Sequence, residues 1–358
     1  MAGRPASVAI DARAAIRAEI GGVERLAREM AVRLPALRPD RYRVLRPPAA
    51  LAHRAGHLWE QTLPLWARRC ALLYCPANLA PVFGRRNVVV IHDAAALRDP
   101  SAYSRAYVGY QRRMLPAIAA RARLVLTVSE FARAELIEVV GLAPDRVQVI
   151  APGVDARFGA ADPAGASERY GLGRPYVLAL GTVSPRKNLA ALAPAASALA
   201  ERGIELVIAG GERSYLPVPR VPLRRLGYVP ESQLASLYAG ARALAMPSRH
   251  EGFGLPCLEA MACGTPVVAA RRGALPETVG DAGLLADPDD PEEFAAAVLA
   301  AVSDETLRRE LAERGRRRAA AYSWERTAAL TDAAIGELLE EARPGAPNRT
   351  GECSSQRA

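Results

Sequence analysis

Lysine is almost missing from this 358-residue chain. It has 47 basic residues, and all but Lys187 are arginine. That lysine is either a survivor of compositional drift toward arginine or holds a position that a guanidinium cannot fill. Its surroundings must decide. Cysteine is scarce too. Cys70, Cys75, Cys257, Cys263 and Cys353 are odd in number and scattered, so they form no disulfide framework and no paired metal-ligand spacing. A reducing compartment is expected. Aromatics make up 5% of the chain, and no recognisable nucleic-acid module is present, so nucleic acid is not an expected partner. No apolar run approaches the ~18 residues of a membrane span. SVAIDA (7–12) reads as a strand with no signal peptide before it. The expectation is a soluble cytoplasmic protein, resting at most on the inner face of a membrane. The Gly-Lys-Ser/Thr ending of a phosphate-binding P-loop is absent, because the lysine lies between Arg186 and Asn188. After the first strand, IDARAAIRAEIGG is not the Gly-rich fingerprint of a nicotinamide oxidoreductase.

What is present reads as globular: half the residues are hydrophobic and 24% are charged. The length predicts two domains. Charge is uneven along the chain. Residues 1–158 carry 24 arginines against 13 acidic residues; the remainder carries 23 basic and 25 acidic residues. The whole excess of +9 therefore lies in the first half. Such a half attracts phosphorylated substrates or anionic lipid surfaces. An arginine-rich solvated surface is the plainer alternative.

Short apolar runs alternate with helical patterns. In the first half these are SVAIDA, YRVLR (42–46), ALLYC (71–75), NVVVIHD (87–93), RLVLTVS (123–129) and VQVIAPG (147–153), with helices over 22–34 and 129–140. The pattern restarts with YVLALG (176–181), IELVIAG (204–210), ALAMPS (243–248), TPVVAA (265–270) and GLLAD (283–287), and a helical block follows. Alternation of this kind predicts βαβ units and parallel sheets. The expected fold is α/β: two tandem Rossmann-like, doubly wound domains with an interdomain cleft at the carboxyl ends of the strands, where ligands bind. The first domain is placed at 1–158, a Gly/Ala/Pro-rich linker without periodicity at 159–175, the second domain at 176–342 and a disordered tail at 343–358. The last helix has the option of packing back on the first domain.

Two stretches could carry chemistry. GTVSPRKN (181–188) follows a strand and places Arg186 and Lys187 in a loop before a helix expected near Asn188. Cationic side chains at a strand end and a helix start make an anion site. Lysine brings a compact point charge there, whereas arginine needs room for its planar fork. The second stretch, HEGFGLPCLEAMACGTPVVA (250–269), sets two glycines beside Glu251 just before a helix. Glu251 and Glu259 are eight positions apart, little over two helical turns, so both can face one side of a helix. A buried second carboxylate needs donors, and sugar hydroxyls are one source. Asp-x-Asp within DPDD (287–290) has the look of a metal signature, but a strand before it and a helix after it make turn and N-cap chemistry the reading.

Those stretches, with LGYVPESQLASLYAGA, LPETVGDAGLLADPDDPE and YSWER, closely resemble the retaining group 1 glycosyltransferases of GT-B architecture. The resemblance continues through GGVERLAREM, LWEQTLPL, VVVIHDAAALRDP, TVSEFARAEL and IAPGVD, and covers roughly 7–340. It implies a first domain that binds the acceptor and a second that binds a nucleotide-sugar. It implies Lys187, with Arg186, on the donor diphosphate. Many relatives have an arginine where this chain has Thr182. Glu251 and Gly252 would meet the transferred sugar, backbone N–H groups of Phe253, Gly254 and Leu255 would hold sugar and phosphate, and Glu259 would accept the ribose hydroxyls. Tyr228 and Val229 match a place beside the base. Gly21 and Gly22 match a glycine loop near the phosphate, and His92 matches a histidine lining the donor-sugar and acceptor site. The implied reaction moves a hexosyl group, mannose favoured, from a nucleotide-diphosphate sugar such as GDP-mannose to a glycan or polyprenyl-linked acceptor in polysaccharide synthesis. No metal or cofactor is implied, and catalysis would rest on His92, Lys187 and Glu251. Trp59 and Trp66 in HLWEQTLPLWARR (57–69) are either core residues or part of a basic surface for a lipid-linked acceptor at an anionic membrane. A non-catalytic nucleotide-sugar-binding subunit and a GT-B-fold sugar epimerase are the competing functions.

Overall fold

A computed structural model describes residues 7–17, 21–48, 56–181, 184–211 and 223–341. Two six-stranded sheets organise it. The first has the order β2-β1-β3-β4-β5-β6, built from β1 (Val8–Asp11), β2 (Tyr42–Leu45), β3 (Leu72–Cys75), β4 (Asn87–Val90), β5 (Leu124–Thr127) and β6 (Val147–Val149). The second has the order β12-β11-β10-β7-β8-β9, from β7 (Tyr176–Leu180), β8 (Glu205–Ala209), β9 (Arg224–Gly227), β10 (Ala243–Met246), β11 (Val267–Ala270) and β12 (Leu284–Ala286). Every pairing in the second sheet is parallel.

Central strands are short apolar runs buried along their whole length, as β3, β10 and β11 show. That is the pattern of a parallel sheet covered on both faces. The edges differ. β2 reads Tyr-Arg-Val-Leu, with Tyr42 and Leu45 buried and Arg43 exposed. β9 reads Arg-Arg-Leu-Gly and is only half buried. An edge strand has one neighbour, and charge along it discourages pairing with another chain.

The covering helices used below are α1 (Gly22–Leu37), α2 (Gly56–Trp66), α3 (Arg105–Arg121), α4 (Glu130–Val140), α5 (Ala164–Tyr170), α6 (Ala193–Ala200), α7 (Glu231–Ala239), α8 (Leu255–Ala262), α9 (Leu275–Val279), α10 (Pro291–Ser303), α11 (Glu305–Ala320) and α12 (Trp324–Glu341). Their ends follow capping rules. Ser129 accepts a hydrogen bond from Ala132 N and starts α4, and Gly141 in the left-handed region ends it. Asp290 and Asp304 cap α10 and α11 in the same way.

Contacts divide the chain into two compact units. One comprises the described residues up to Val90, 121–125 and those from Glu325 onward; the other comprises 91–120 and 126–324. In the first unit, α12 is tied to β2 by Asp332, which accepts from Arg41 Nη1 at 2.6 Å and Tyr42 Oη at 2.7 Å. The stretch read as an aperiodic linker is different from that reading: it holds a 3-10 turn (Ala156–Ala160) and α5, in contact with α7. The 343–358 tail lies outside the described residues. Among the described residues, no helix is long and apolar enough to cross a membrane.

Candidate active site

The site grows from the loops that follow β7 and β10, neighbouring strands of the second sheet. After β7 the chain enters a single 3-10 turn, Pro185–Lys187, and then Asn188 in the left-handed region with φ 50°. The helix expected near Asn188 begins later: a second 3-10 turn (Leu189–Leu192) precedes α6 at Ala193. Pro185 fixes the start of the turn and Asn188 tolerates the reversal. Asn188 Nδ2 also donates to Pro288 O at 2.8 Å. The two loops are laced together: Arg249 N donates to Arg186 O at 2.9 Å, and Arg186 Nη1 to His250 O at 2.6 Å.

This lacing brings both cations onto one carboxylate. Lys187 Nζ lies 2.7 Å from Glu251 Oε1, and Arg186 Nη1 lies 3.1 Å from Glu251 Oε2. Lys187 and Glu251 are buried, at 9% and 8% exposure. Burial alone would raise the Glu251 carboxyl, but Arg186 and then Lys187 outweigh it and hold the group down at about 2. Burial moves Lys187 below the usual lysine range, against the pull of Glu251. Gly181 explains the fit of a lysine. A β-carbon there would stand 2.6 Å from Lys187 Cε and 3.0 Å from Nζ. The straight lysine stem lies against bare backbone.

Glu251 is not on the helix with Glu259. Gly254, at φ 99°, caps α8, so Glu251 sits in the preceding loop. The idea of both carboxylates on one helical face is therefore corrected. Glu251 is held instead by backbone. Ala274 N donates to its carbonyl at 3.0 Å, and Gly273 (φ 62°) has no room for a β-carbon, which would meet Glu251 N and O at 2.9 Å. Glu259, on α8, is 2% exposed and accepts from Tyr238 Oη on α7 at 2.9 Å. A protein phenol thus supplies a donor that the sequence reading sought in sugar hydroxyls.

His92 is buried in the loop after β4. Its carbonyl faces Gly252, where a β-carbon would come within 2.6 Å of His92 O and 3.0 Å of Asp93. Ser129, besides capping α4, donates through Oγ to Gly252 O at 2.6 Å. His250 Nε2 lies 2.9 Å from Glu135 Oε1 on α4, and Ala94 N donates to Glu135 Oε2 at 2.9 Å. The EGFG loop, the His92 loop and α4 are therefore joined by glycine contact and hydrogen bonds.

The remaining expected residues are spread more widely. Phe253 is buried and packs edge-on against Tyr322 at 5.9 Å, and Leu255 is buried at the start of α8. Val229 is buried and Tyr228 is 43% exposed, just past β9 and Gly227 (φ 68°). Gly21 and Gly22 belong to the other unit. Gly21 caps α1, its N–H donating to Glu24 Oε2 at 3.1 Å, and open space lies where a Gly22 β-carbon would stand. Thr182 lies outside the described residues. Asp290 of DPDD caps α10, while Asp289 pairs with Arg249 and Arg272. The sequence reading missed Glu135, Tyr238 and Gly273. Nothing in their local spacing marks them, because each acts through a partner far along the chain.

Two family models match this chain: glycosyl transferases group 1 over residues 174–304, and glycosyltransferase family 4 over residues 65–158. An O-antigen chain mannosyltransferase B of Escherichia coli is 34% identical over 290 residues, covering 76% of each chain. A sucrose-phosphate synthase structure from Thermosynechococcus elongatus superposes with a TM-score of 0.75 at 20% identity, covering 94% of this chain and 99% of that one. The Anabaena protein Alr3699/HepE, solved with UDP and glucose, does so at 0.69 and 19%, covering 93% and 99%. The chain, an α/β protein of two parallel six-stranded sheets, belongs to the group 1 glycosyltransferases and has their GT-B fold.

Proposed function

We propose that this glycosyltransferase moves a hexosyl group, mannose first among the candidates, from a nucleotide-diphosphate sugar to a glycan or lipid-linked acceptor in polysaccharide assembly, with retention of anomeric configuration. The observation that carries the reading is the convergence of Lys187 and Arg186 on Glu251. A glycosyl donor leaves as a nucleotide diphosphate, and the barrier lies in separating an oxocarbenium-like sugar from that developing anion. Two fixed cations, Lys187 buried and Arg186 partly exposed, can take the anion without reorganising. A metal is not required for that role. The mannosyltransferase relative favours mannose and makes GDP-mannose the first donor to test.

In this reading Lys187 and Arg186 stabilise the leaving diphosphate. Glu251 holds them in place before the donor arrives and then meets sugar hydroxyls alongside Gly252. Backbone N–H groups of Phe253, Gly254 and Leu255 hold sugar and phosphate at the start of α8. Glu259, oriented by Tyr238, takes the ribose hydroxyls, and Tyr228 and Val229 flank the base. His92 lines the transferred sugar. A front-face route is the reading, with the departing phosphate taking the acceptor proton. The enzyme works in the cytoplasm, where nucleotide-sugars are made.

The test is a panel of GDP-, UDP-, dTDP- and ADP-sugars with and without EDTA, read by thermal shift and donor hydrolysis on wild type and Lys187→Ala. One nucleotide class should bind in EDTA and lose hydrolysis in the variant. Binding that requires a divalent metal overturns the metal-free role, and the absence of any shift overturns the donor site.

A further inference from the structure

The tryptophan-bearing helix of the first unit divides its faces sharply. α2 buries Trp59, Glu60 and Leu63. It turns Leu58, Leu65 and Trp66 outward, at 67%, 71% and 56% exposure. Leu58, Gln61 and Leu65 follow the i, i+3, i+7 spacing of one helical face. The Gln61 side chain accepts a hydrogen bond from Val82 N at 3.1 Å, which sets the turn after β3 beside this helix. That turn presents Phe83, 84% exposed, with the Arg121 guanidinium 5.8 Å above its ring.

Scattered single apolar residues on a surface need no explanation, but adjoining projections of this size do. Their surroundings are of one sign. Arg68 and Arg69 follow the helix, Arg85 and Arg86 follow Phe83, and all four are exposed. Between Gly56 and Ile91 the only acidic residue is Glu60, which is buried against Arg13 at 2.5 Å. Along this stretch the surface therefore offers apolar tips and arginines, and its one carboxylate is buried.

We infer that this face, Leu58, Leu65, Trp66 and Phe83 with the arginines around them, seats the enzyme on an anionic phospholipid bilayer. The tips enter the headgroup boundary and the guanidinium groups meet lipid phosphates. Charge complementarity selects this occupant. A second copy would bring the same arginines against themselves. A protein partner would have to cover side chains that each stand more than half exposed and bring carboxylates to the arginines around them. Tryptophan is favoured where one end of a side chain is apolar and the other wet, and arginines near a surface each add about 1 kcal/mol of attraction to anionic lipid.

Trp66 makes the inference testable in the whole protein, since Trp59 and Trp324 are 3% and 1% exposed. With vesicles of equal parts phosphatidylglycerol and phosphatidylcholine, Trp66 emission should shift blue and be quenched by brominated acyl chains. Pure phosphatidylcholine should bind at least about tenfold more weakly. Leu65→Ser with Phe83→Ser should abolish the quenching while keeping the reporter. Arg69→Gln and Arg85→Gln should each weaken binding roughly fivefold, the equivalent of about 1 kcal/mol. Hydrolysis of the donor in solution, and the melting temperature, should stay as in wild type, so this result is read separately from the donor site. The inference is overturned by absence of vesicle binding at low salt, by binding that leaves Trp66 unquenched, or by lipid-free self-association that buries Trp66.

Discussion

His250 and Glu135, 115 positions apart, meet at 2.9 Å, and the same carboxylate holds Ala94 N through its other oxygen. Burial disfavours the charged imidazole, but the Glu135 hydrogen bond and the charges of Asp93 and Glu135 overcome it. His250 therefore titrates above its usual range, with Arg186 pulling the other way. A group with a raised folded pKa adds stability that is full below the unfolded value, ~6.5, and is lost as pH rises through the folded value. The expected outcome is that His250→Gln lowers the melting temperature most in mildly acidic buffer, and that the gap to wild type narrows on going alkaline. Melting curves across pH check it. Glu135→Gln added to His250→Gln should bring no further pH dependence of this kind.

Gly181 and Lys187 form a pair that admits one lysine geometry. Gly181→Ala adds a β-carbon 2.6 Å from Lys187 Cε at a backbone φ of 131°. It should lower turnover by displacing Lys187. Lys187→Ala should cost roughly 10²–10³ in kcat, the usual loss for one preorganised group facing developing charge. Lys187→Arg should not restore it, because the planar fork needs room that Gly181 and Glu251 do not leave. Steady-state kinetics on the donor that binds will decide.

Glu251→Gln removes the one carboxylate that Arg186 and Lys187 share. Buried Lys187 and partly exposed Arg186 then face each other without the carboxylate between them. The variant should melt lower without ligand, and a nucleoside diphosphate should raise its melting temperature by more than it raises that of wild type. In wild type the Glu251 contribution is present above the ordinary carboxylate pKa and is lost as pH falls from about 4.5 toward about 2.

Asp332 predicts a purely structural effect. Replacing it with alanine takes the charged acceptor from Arg41 and Tyr42, and should cost about 2–3 kcal/mol of stability. Arg38→Ala, whose side chain is 60% exposed and 3.4 Å from Asp332, should cost less than about 1 kcal/mol. Denaturant titration separates the two.

The central strands were legible because a strand covered on both faces must be apolar along its length. β9 was not: Arg224 and Arg225 look like loop residues, and only the edge of a sheet tolerates them. α5 was hidden by its Gly, Ala and Ser content, which carries almost no hydrophobic periodicity; contact with α7 replaces what the pattern lacks. In the site, the loop residues Lys187, Arg186 and Glu251 could be named from short stretches. The separation of Glu251 from the helix could not, since it depends on the left-handed turn at Gly254. Glu135 and Tyr238 were invisible for another reason: their partners lie 115 and 21 positions away, and no local spacing encodes a contact of that range.

One lysine in 358 residues also makes the donor loop its own recorder. A protease that cuts only after lysine has a single target bond, Lys187–Asn188. In the folded enzyme both residues are buried, one paired with Glu251 and the other bound to Pro288 O. Cleavage must wait for that loop to open, so its rate reports the open fraction. Two fragments on a gel would then count how often the loop comes undone, without any label, and how far a bound donor keeps it shut.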